Sequence, residues 1–397
     1  TWQEKLPRGP SGEALHAVHA ILFDTNNPQT VYAGTQKYDN PAGYDGGLRK
    51  SIDGGETWSP LKVKSVDDVY ALAMTPAGFS PTIYAYAYGF DKDIYASTDD
   101  GVTWVPLENP DPAAGVPNVL RPFMVVDPGN PKQFYSSGPD SLYQYDSGTE
   151  QWTEIAPGVF SIRPLSMVIH PQNGDMFVAA STGGFFQSSD GGSQWVSANV
   201  TNTRINDLAV DPTDSQTAYA AVDGTGYSLA KTNNSGDGWD YLANSETRLN
   251  AVAIDPQVTT TIYAAKDTQT LQYYGSKAFI YKSVNSGQDW DKIAYLECII
   301  PTCEITIQKM LVSAADSNHI LVGGTGDNGT LVRTRDGGDS WDELDTNTIT
   351  AALAADPNDP DIVYGGGAAL NLDFVFRYND VWGDWTTTTL IGPDNIG

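Results

Sequence analysis

Short apolar stretches recur along the chain, and each is closed by a turn pair such as Asp-Pro or His-Pro. Clear examples are Leu208-Ala209-Val210-Asp211-Pro212, Val252-Ala253-Ile254-Asp255-Pro256 and Met167-Val168-Ile169-His170-Pro171. An uninterrupted apolar run of this length, ended by turn residues, predicts a strand that is buried on both faces. A Thr-x-Tyr-Ala pattern at residues 30–33, 82–85, 217–220 and 261–264 predicts a second short strand in the same repeat.

A third strand is predicted to run into a motif of the form Ser-x-Asp-x-Gly-x-Thr-Trp, here called the box motif, whose Trp begins a fourth strand. Clear copies lie at residues 51–58, 97–104, 188–195 and 334–341, and Asn replaces Asp at 232–239 and 283–290. Two further units keep only the Trp. The closing residues are Trp58, Trp104, Trp152, Trp195, Trp239, Trp290, Trp341 and Trp385, so the repeat is roughly 43 to 51 residues long, the length of a four-stranded propeller blade. We therefore predict an all-β fold, a single β-propeller with eight four-stranded blades, with seven blades as the alternative.

The box motif contains the residue types that a tight hairpin requires. Its Asp or Asn side chain can accept hydrogen bonds from backbone N–H groups of its own turn, its Gly can adopt a left-handed conformation, and its Trp covers the turn. We therefore predict a structural and not a catalytic role for the box residues, which are Asp53, Asp99, Asp190, Asn234, Asn285 and Asp336.

These copies resemble the Asp-box, or BNR/sialidase-type, repeat over nearly the whole chain, from Asp24 to Trp385. The resemblance implies an Asp-box β-propeller, similar at repeat level to xyloglucanase, sortilin-like and photosystem II assembly factor propellers. It does not imply one function, since the family also includes sialidases and lectins.

The composition fits one large all-β domain spanning residues 1–397, with the eight repeats at 17–390. Residues 1–16 are predicted to contribute a strand that closes the ring, because Trp2 to Leu6 copy the pattern of a fourth strand; the last unit also carries its own candidate at Trp385, which leaves the closure scheme open. The formal net charge of −27 argues against a nucleic-acid partner, and no apolar run is long enough for insertion into a membrane.

Three features predict a secreted, extracellular or cell-surface protein. The chain begins at Thr1 without a Met, Cys298 and Cys303 lie five positions apart, and three N-glycosylation sequons start at Asn199, Asn233 and Asn328. The cysteine pair is predicted to form a small disulfide, with two separate thiols as the alternative.

Basic residues recur at one distance from the turn pair. Arg163, Arg204 and Arg248 stand seven residues before it, Arg121 six, and Lys309 seven before Asp316. In a propeller this position lies near the channel mouth, so these residues predict an arc that binds carboxylate, sulfate or phosphate groups of an acidic ligand. The alternative is that each Arg pairs with a neighbouring loop carboxylate such as Asp207 or Glu246, and that a basic residue is simply common at this repeat position.

Aromatic residues mark the longer loops between second and third strands, namely Tyr38, Tyr44, Tyr88, Phe90, Tyr273 and Tyr274. Exposed Tyr beside Asp, Asn and Gln commonly stacks on sugar rings, which predicts glycan binding. The alternative is that such aromatics are core residues between blades.

Tests for enzyme chemistry are negative at the level of sequence. The Arg-Ile-Pro signature of sialidases is missing, and Gln36 stands where the resemblance to xyloglucan-cleaving hydrolases would require an acid. We identify no catalytic residue, metal ligand set or cofactor motif.

We predict a non-catalytic extracellular propeller that presents a glycan- or protein-binding face. The alternatives are a glycoside hydrolase or other polysaccharide-active enzyme, and an assembly or sorting factor that binds a peptide segment.

Overall fold

A computed structural model describes residues 18–24, 26–35, 38–40, 43–45, 47–61, 63, 68–88, 93–107, 123–138, 141–155, 164–180, 184–197, 204–223, 228–242, 249–267, 277–297, 305–326, 330–343, 349–355, 359, 362–369, 372–379 and 384–389. Within these residues the secondary structure consists of strands, without a helix. The strands form eight four-stranded antiparallel sheets and one two-stranded ribbon in this part of the chain.

The first four sheets follow the chain order of their strands. Sheet 1 contains β1 (Val18–Phe23), β2 (Val31–Thr35), β5 (Leu48–Ser51) and β6 (Ser59–Leu61), and the ribbon β3 (Tyr38–Asn40) and β4 (Gly43–Asp45) is inserted after β2. Sheet 2 contains β7 (Asp68–Met74), β8 (Ile83–Tyr88), β9 (Asp93–Ser97) and β10 (Val105–Leu107). Sheet 3 contains β11 (Met124–Val126), β12 (Gln133–Ser137), β13 (Leu142–Asp146) and β14 (Gln151–Glu154). Sheet 4 contains β15 (Pro164–Ile169), β16 (Met176–Ala180), β17 (Gly184–Ser188) and β18 (Val196–Ser197).

The remaining four sheets repeat the same order. Sheet 5 contains β19 (Arg204–Val210), β20 (Ala218–Asp223), β21 (Leu229–Thr232) and β22 (Asp240–Tyr241). Sheet 6 contains β23 (Ala251–Ile254), β24 (Ile262–Asp267), β25 (Lys277–Ser283) and β26 (Asp291–Glu297). Sheet 7 contains β27 (Ile305–Val312), β28 (Ile320–Gly326), β29 (Thr330–Thr334) and β30 (Asp342–Glu343). Sheet 8 contains β31 (Ile349–Ala355), β32 (Ile362–Ala369), β33 (Leu372–Asn379) and β34 (Asp384–Thr389).

Neighbouring sheets contact each other through their first strands, here called the inner strands, which are β1, β7, β11, β15, β19, β23, β27 and β31. The contacts run from sheet 1 to sheet 8 and return from β31 to β1, so the inner strands surround a central channel. The predicted all-β propeller fold is confirmed. The number of eight blades and a single domain over residues 1–397 stay predictions. Sheet 8 carries its own fourth strand around Trp385, and residues 1–17, with the proposed closing strand, lie outside the described residues.

The apolar core lies between neighbouring sheets. Phe177 and Phe185 of sheet 4 pack against Ile205 and Leu208 of sheet 5, and equivalent clusters join most other neighbours. The second strands are the most deeply buried, as in β16 and β24. The prediction that the apolar run before Asp-Pro is buried on both faces holds for β23 but is wrong for β19, several of whose residues are only half-buried. Val210 and Ala209 of β19 lie at the margins of two core clusters and are only partly covered, whereas all four residues of β23 are buried.

The described box motifs all form the same hairpin turn. In the first copy Ser51 Oγ accepts the N–H of Gly55 at 2.7 Å, and Asp53 Oδ1 accepts the N–H of Thr57 at 2.9 Å. The same two backbone bonds occur in the boxes of Asp99, Asp190, Asn234, Asn285 and Asp336. Asn serves as well as Asp for these bonds because either side chain offers an acceptor oxygen to the turn.

Candidate functional site

The channel mouth that receives the fourth-to-first and second-to-third strand connections is the predicted functional face. Most of these connections lie outside the described residues. The predicted site residues that fall there are Arg121, Arg163, Arg248, Phe90, Tyr273, Tyr274, Cys298 and Cys303. Their predicted roles, including the disulfide, stay predictions.

Three of the predicted aromatic residues lie on strands that point to this face. Tyr38 of β3 is opposite Asp45, Tyr44 of β4 is opposite Asp39, and Tyr88 ends β8 opposite Asp68. The side chains of these three tyrosines lie outside the described part of the structure. Their role in glycan binding therefore stays a prediction.

Arg204 is the described arginine of the predicted basic arc. It begins β19 at the channel mouth, where it is paired in register with Asp223 of β20. Its side chain is exposed. Because the guanidinium group of Arg204 is exposed at the mouth, a ligand that arrives there can bind it directly.

Lys309 does not occupy the position that the sequence count assigned to it. In sheet 5 the turn after the inner strand is held by Asp211, whose Oδ1 accepts the N–H groups of Thr213 at 2.9 Å and Asp214 at 3.1 Å. In sheet 7 the equivalent acceptor is the hydroxyl of Ser313, at 3.2 Å from the N atom of Ala315. Counting back from Asp316 therefore placed Lys309 three residues too early, because the turn residue here is a serine.

The β-bulges of the inner strands give the correct alignment. The bulge of β19 lies between Ile205 and Asp207, and that of β27 lies between Ile307 and Lys309. Lys309 therefore corresponds to Asp207, while Thr306 corresponds to Arg204. The prediction of five cations at one equivalent position is wrong for Lys309. In both strands this residue directly follows the bulge, which re-aims its side chain. The inner strands that carry such bulges surround the channel and are here called the channel wall.

Asp207 and Lys309 form an ion pair that spans sheet 6. The Nζ atom of Lys309 lies 3.6 Å from Asp207 Oδ1, and the backbone N–H of Val252 in β23 donates to Asp207 Oδ2 at 3.1 Å. One carboxylate of sheet 5 thus contacts both following sheets. The alternative that the arginines of the arc pair with neighbouring carboxylates stays a prediction; the pair seen here joins Asp207 to Lys309.

The two members of this pair are not equally exposed. The side chain of Asp207 is 12% exposed, whereas that of Lys309 is 46% exposed. Burial raises the pKa of the Asp207 carboxyl, and the ammonium of Lys309 and the N–H of Val252 only partly offset this effect. The surrounding groups therefore do not fully offset the effect of burial on this carboxyl group.

Hydrogen bonds fix the backbone around the pair. Asn206 Nδ2, from the bulge of β19, donates to the carbonyl of Leu249 at 2.7 Å. Asn250 Nδ2 donates to Asp267 Oδ2 at 3.0 Å, and the N–H of Asp267 donates to Asn250 Oδ1 at 3.2 Å. The Asn206 bond ties sheet 5 to sheet 6 beside Asp207, and the two Asn250–Asp267 bonds brace sheet 6 itself, so the carboxylate is held in a preorganised wall.

The opposite part of the wall has a different chemistry. His19 lies in the bulge of β1 and Tyr70 in that of β7, and their rings stack with centroids 4.4 Å apart. The residues that follow the two bulges are Ala20 and Ala71. The charged pair thus marks one side of the wall. The sequence analysis missed this asymmetry because Asp207 and Lys309 are far apart in sequence. Their shared feature is the position directly after a β-bulge, which the sequence does not mark.

The described residues contain no group of three or more His, Cys, Asp or Glu side chains suited to a metal ion. Among the same residues, the search for a helix of sufficient length and apolar character to span a bilayer finds none. What the described wall offers chemically is recognition of charge, through the exposed Arg204 and the Asp207–Lys309 pair.

The closed arrangement of four-stranded sheets around a charged channel wall defines a β-propeller of the repeat type. The family model described as the DUF6242 beta propeller domain matches residues 132–358, which is more than half of the 397-residue chain. The chain belongs to this family. A search of curated proteins finds no match.

Solved structures with a similar fold come from several functional classes. Sqt1 from Chaetomium thermophilum, bound to the N-terminus of the ribosomal protein L10, has a TM-score of 0.62 at 11% identity, covering 91% of this chain and 96% of that one. YCF48 from Cyanidioschyzon merolae has a TM-score of 0.49 at 13% identity, with coverages of 92% and 96%. The GH74 enzyme of Niastella koreensis has a TM-score of 0.49 at 15% identity; the match covers 94% of this chain, which spans 65% of the enzyme. At these identities the likeness concerns the fold alone.

Proposed function

We propose that this protein is a non-catalytic propeller that binds an extended segment of a partner protein at the channel mouth. The observation that carries the proposal is the Asp207–Lys309 pair, held in the inner wall below the exposed Arg204. Charges of both signs at one mouth suit a peptide, whose backbone and side chains offer amines, carboxylates and amides together.

The similar propeller Sqt1, which was determined with an N-terminal protein segment bound, gives this proposal support at the level of fold. The glycan alternative depends on aromatic side chains that lie outside the described part of the structure. The hydrolase alternative needs two cooperating carboxyl groups, whereas the partner of Asp207 is an ammonium group. We therefore favour a protein ligand.

Two accompanying proposals rest on the sequence. We propose that the protein acts outside the cell or on its surface, supported by the sequons and the Cys298–Cys303 spacing. We also propose that the box turns are true Asp-boxes. Their repeated Ser or Thr, Asp or Asn, and Gly contacts support this classification.

The proposed function can be tested by screening the full chain against a peptide array and a glycan array in parallel. Selected peptides are then measured with Arg204→Ala and with a matched control, Lys132→Ala, which removes an exposed cation from a first-to-second strand turn of sheet 3. Arg204→Ala is expected to weaken the binding of peptides with acidic side chains about two- to fivefold, the range for an exposed ion pair, while the control binds normally.

Release of reducing ends from any polysaccharide would contradict the non-catalytic proposal. Binding confined to glycans would contradict the protein-binding proposal. An equal loss in the two variants would show that Arg204 acts only through the overall charge of the chain.

A further inference from the structure

The Asp207–Lys309 contact is a loose ion pair with a buried acceptor. A strong charge-assisted hydrogen bond between nitrogen and oxygen is about 2.7–2.9 Å long. Here the distance is 3.6 Å. The ammonium group of Lys309 therefore lies beyond the length of a strong hydrogen bond to Asp207 Oδ1. The N–H of Val252 donates to the other carboxylate oxygen at 3.1 Å, and the N–H of Leu208 is a further polar neighbour of the carboxyl group.

The two partners would behave very differently if the pair separated. Lys309 carries its charge on a long flexible side chain that is 46% exposed, so its ammonium can move into water at little cost. Asp207 is 12% exposed and is anchored to β23 through Val252, so its carboxylate cannot follow. A buried charge left without a partner is strongly unfavourable. The carboxylate is thus the fixed member of the pair, and the cation is exchangeable.

We infer that Asp207 is the acceptor for a primary ammonium group of the ligand, and that Lys309 is a resident substitute which the ligand displaces. This inference rests on the proposed function, and it names the part of the peptide that enters the channel wall. The incoming group is either the α-amine of a chain terminus or the side chain of a lysine, since both carry the same –NH₃⁺ group.

A cation is favoured over an anion at this site for two reasons. An anion that bound Lys309 would draw away the counter-ion of Asp207 and leave the buried carboxylate uncompensated. The formal net charge of −27 also attracts cationic ligands and repels anionic ones. Arg204 remains available for an acidic side chain elsewhere on the same peptide.

The experiment uses an array of random octapeptides attached through their C-termini, probed with the full chain. Three versions of each selected peptide are compared: the free amine, the N-acetylated form, and a form with lysine replaced by norleucine. Blocking the amine that enters the site is expected to reduce affinity about tenfold or more. A loss with the N-acetylated peptide identifies the α-amine as the ligand group, and a loss with the norleucine peptide identifies the lysine side chain. These comparisons use the wild-type protein, so they do not depend on the folding of a variant.

Two variants then test the residues. Asp207→Asn keeps an acceptor for Val252 but removes the charge, and it is expected to weaken the binding of free-amine peptides about 30-fold. Lys309→Met removes the resident cation and is expected to strengthen the same binding severalfold. Thermal melting of each variant checks that it is folded.

Weaker binding by Lys309→Met would overturn the inference, because it would make the lysine a ligand contact. Peptide binding that is insensitive to both amine modifications and to Asp207→Asn would overturn it too, while leaving the proposed function intact. A complete absence of peptide binding by the wild-type protein would contradict the proposed function, and this inference with it.

Discussion

The phenol of Tyr364 donates a hydrogen bond of 2.7 Å to the carbonyl of Gly54, joining sheet 8 to the box turn of sheet 1. Tyr219 makes the equivalent contact from sheet 5 to Ser286 of sheet 6, at 3.4 Å. Both acceptors directly follow the Asp or Asn of a box motif. The box turn therefore does more than close its own hairpin: it also receives a tyrosine from the preceding sheet, and at Gly54 this contact helps close the ring.

Replacing Tyr364 with Phe should destabilise the protein by about 1 kcal/mol. The side chain is fully buried, and its removal leaves the buried carbonyl of Gly54 without this donor. Tyr219→Phe is the matched control and should cost less, because its longer bond to Ser286 is only partly buried. Denaturant unfolding of the two variants measures both values. Equal losses of unfolding free energy in the two variants would mean that the hydrogen bond of Tyr364 contributes no more to stability than that of Tyr219.

Two adjacent glycines of one box turn should respond differently to alanine. Gly191 has a φ of 72° and Gly192 a φ of 88°, so each Ala introduces left-handed strain of about 1–2 kcal/mol. A Cβ at Gly191 meets nothing within 4 Å, whereas one at Gly192 would lie 2.9 Å from Ile155 Cδ1 of the preceding sheet. Gly192→Ala should therefore cost clearly more than Gly191→Ala in chemical denaturation. Similar losses would show that packing against Ile155 is readily adjusted.

Tryptophans of the box motifs should differ according to their hydrogen bonds. Trp290 Nε1 donates to the carbonyl of Gly287 at 3.0 Å, but the buried Nε1 of Trp239 finds no acceptor among the described residues. Trp290→Phe removes packing and a hydrogen bond, while Trp239→Phe removes packing only. The second variant should be more stable than the first by about 1 kcal/mol, measured by denaturant unfolding. The reverse order would indicate that packing differences dominate.

The box carboxylates should make stability depend on pH in the acid range. The pKa of Asp99 is lowered by hydrogen bonds from Thr103, that of Asp190 by the N–H of Gln194, and that of Asp336 by hydrogen bonds from Ser340. A lowered pKa in the folded state gives stability that is present above the unfolded pKa of about 3.9 and is lost as the pH falls through the folded value.

The measurement is melting temperature against pH for the wild type and for an Asp99→Asn/Asp190→Asn/Asp336→Asn variant. Asn234 and Asn285 show that the turn accepts an amide. The wild type should be the more stable at pH 7, and the difference should shrink below pH 4. Parallel curves would mean that these carboxylates do not control acid unfolding.

The fold was predictable because its signals are local and repeated. A box motif spans only eight residues, and its Ser, Asp and Gly form the turn with partners within four positions. Each copy therefore indicated the same hairpin, and the spacing of the tryptophans indicated the repeat. Even here burial was overestimated for β19, because the covering of Ala209 and Val210 depends on residues of neighbouring sheets and not on the strand alone.

The candidate site was harder to predict because its geometry depends on register. Counting from Asp316 misplaced Lys309, since a serine replaces the aspartate that holds the turn in sheet 7. The pairing of Asp207 with Lys309 joins residues in sheets that are not neighbours, and nothing local in the sequence marks it. The sequence analysis named Asp207 as a partner only for a neighbouring arginine, and not for a lysine two sheets away.

Asp207→Asn should make the protein more stable at pH 7, by about 1 kcal/mol, since an amide avoids the cost of a buried charge. Burial raises the folded pKa of Asp207 above its unfolded value, so the folded state binds the proton more tightly. The wild type therefore loses stability as the pH rises from about 3.9 through the folded pKa, and the variant does not. The gap between their melting temperatures should open over this range and vanish toward pH 4.

Lys309→Met should lower stability at pH 7, because it removes the ammonium group that partly compensates the Asp207 carboxylate. The double variant Asp207→Asn/Lys309→Met should recover this stability. A carboxylate that costs stability and is retained in a preorganised wall fits a ligand-binding role. If Asp207→Asn were instead destabilising at pH 7, Asp207 would be a structural contact that holds sheets 5, 6 and 7 together. Its stability cost could then no longer be used as support for a role in ligand recognition.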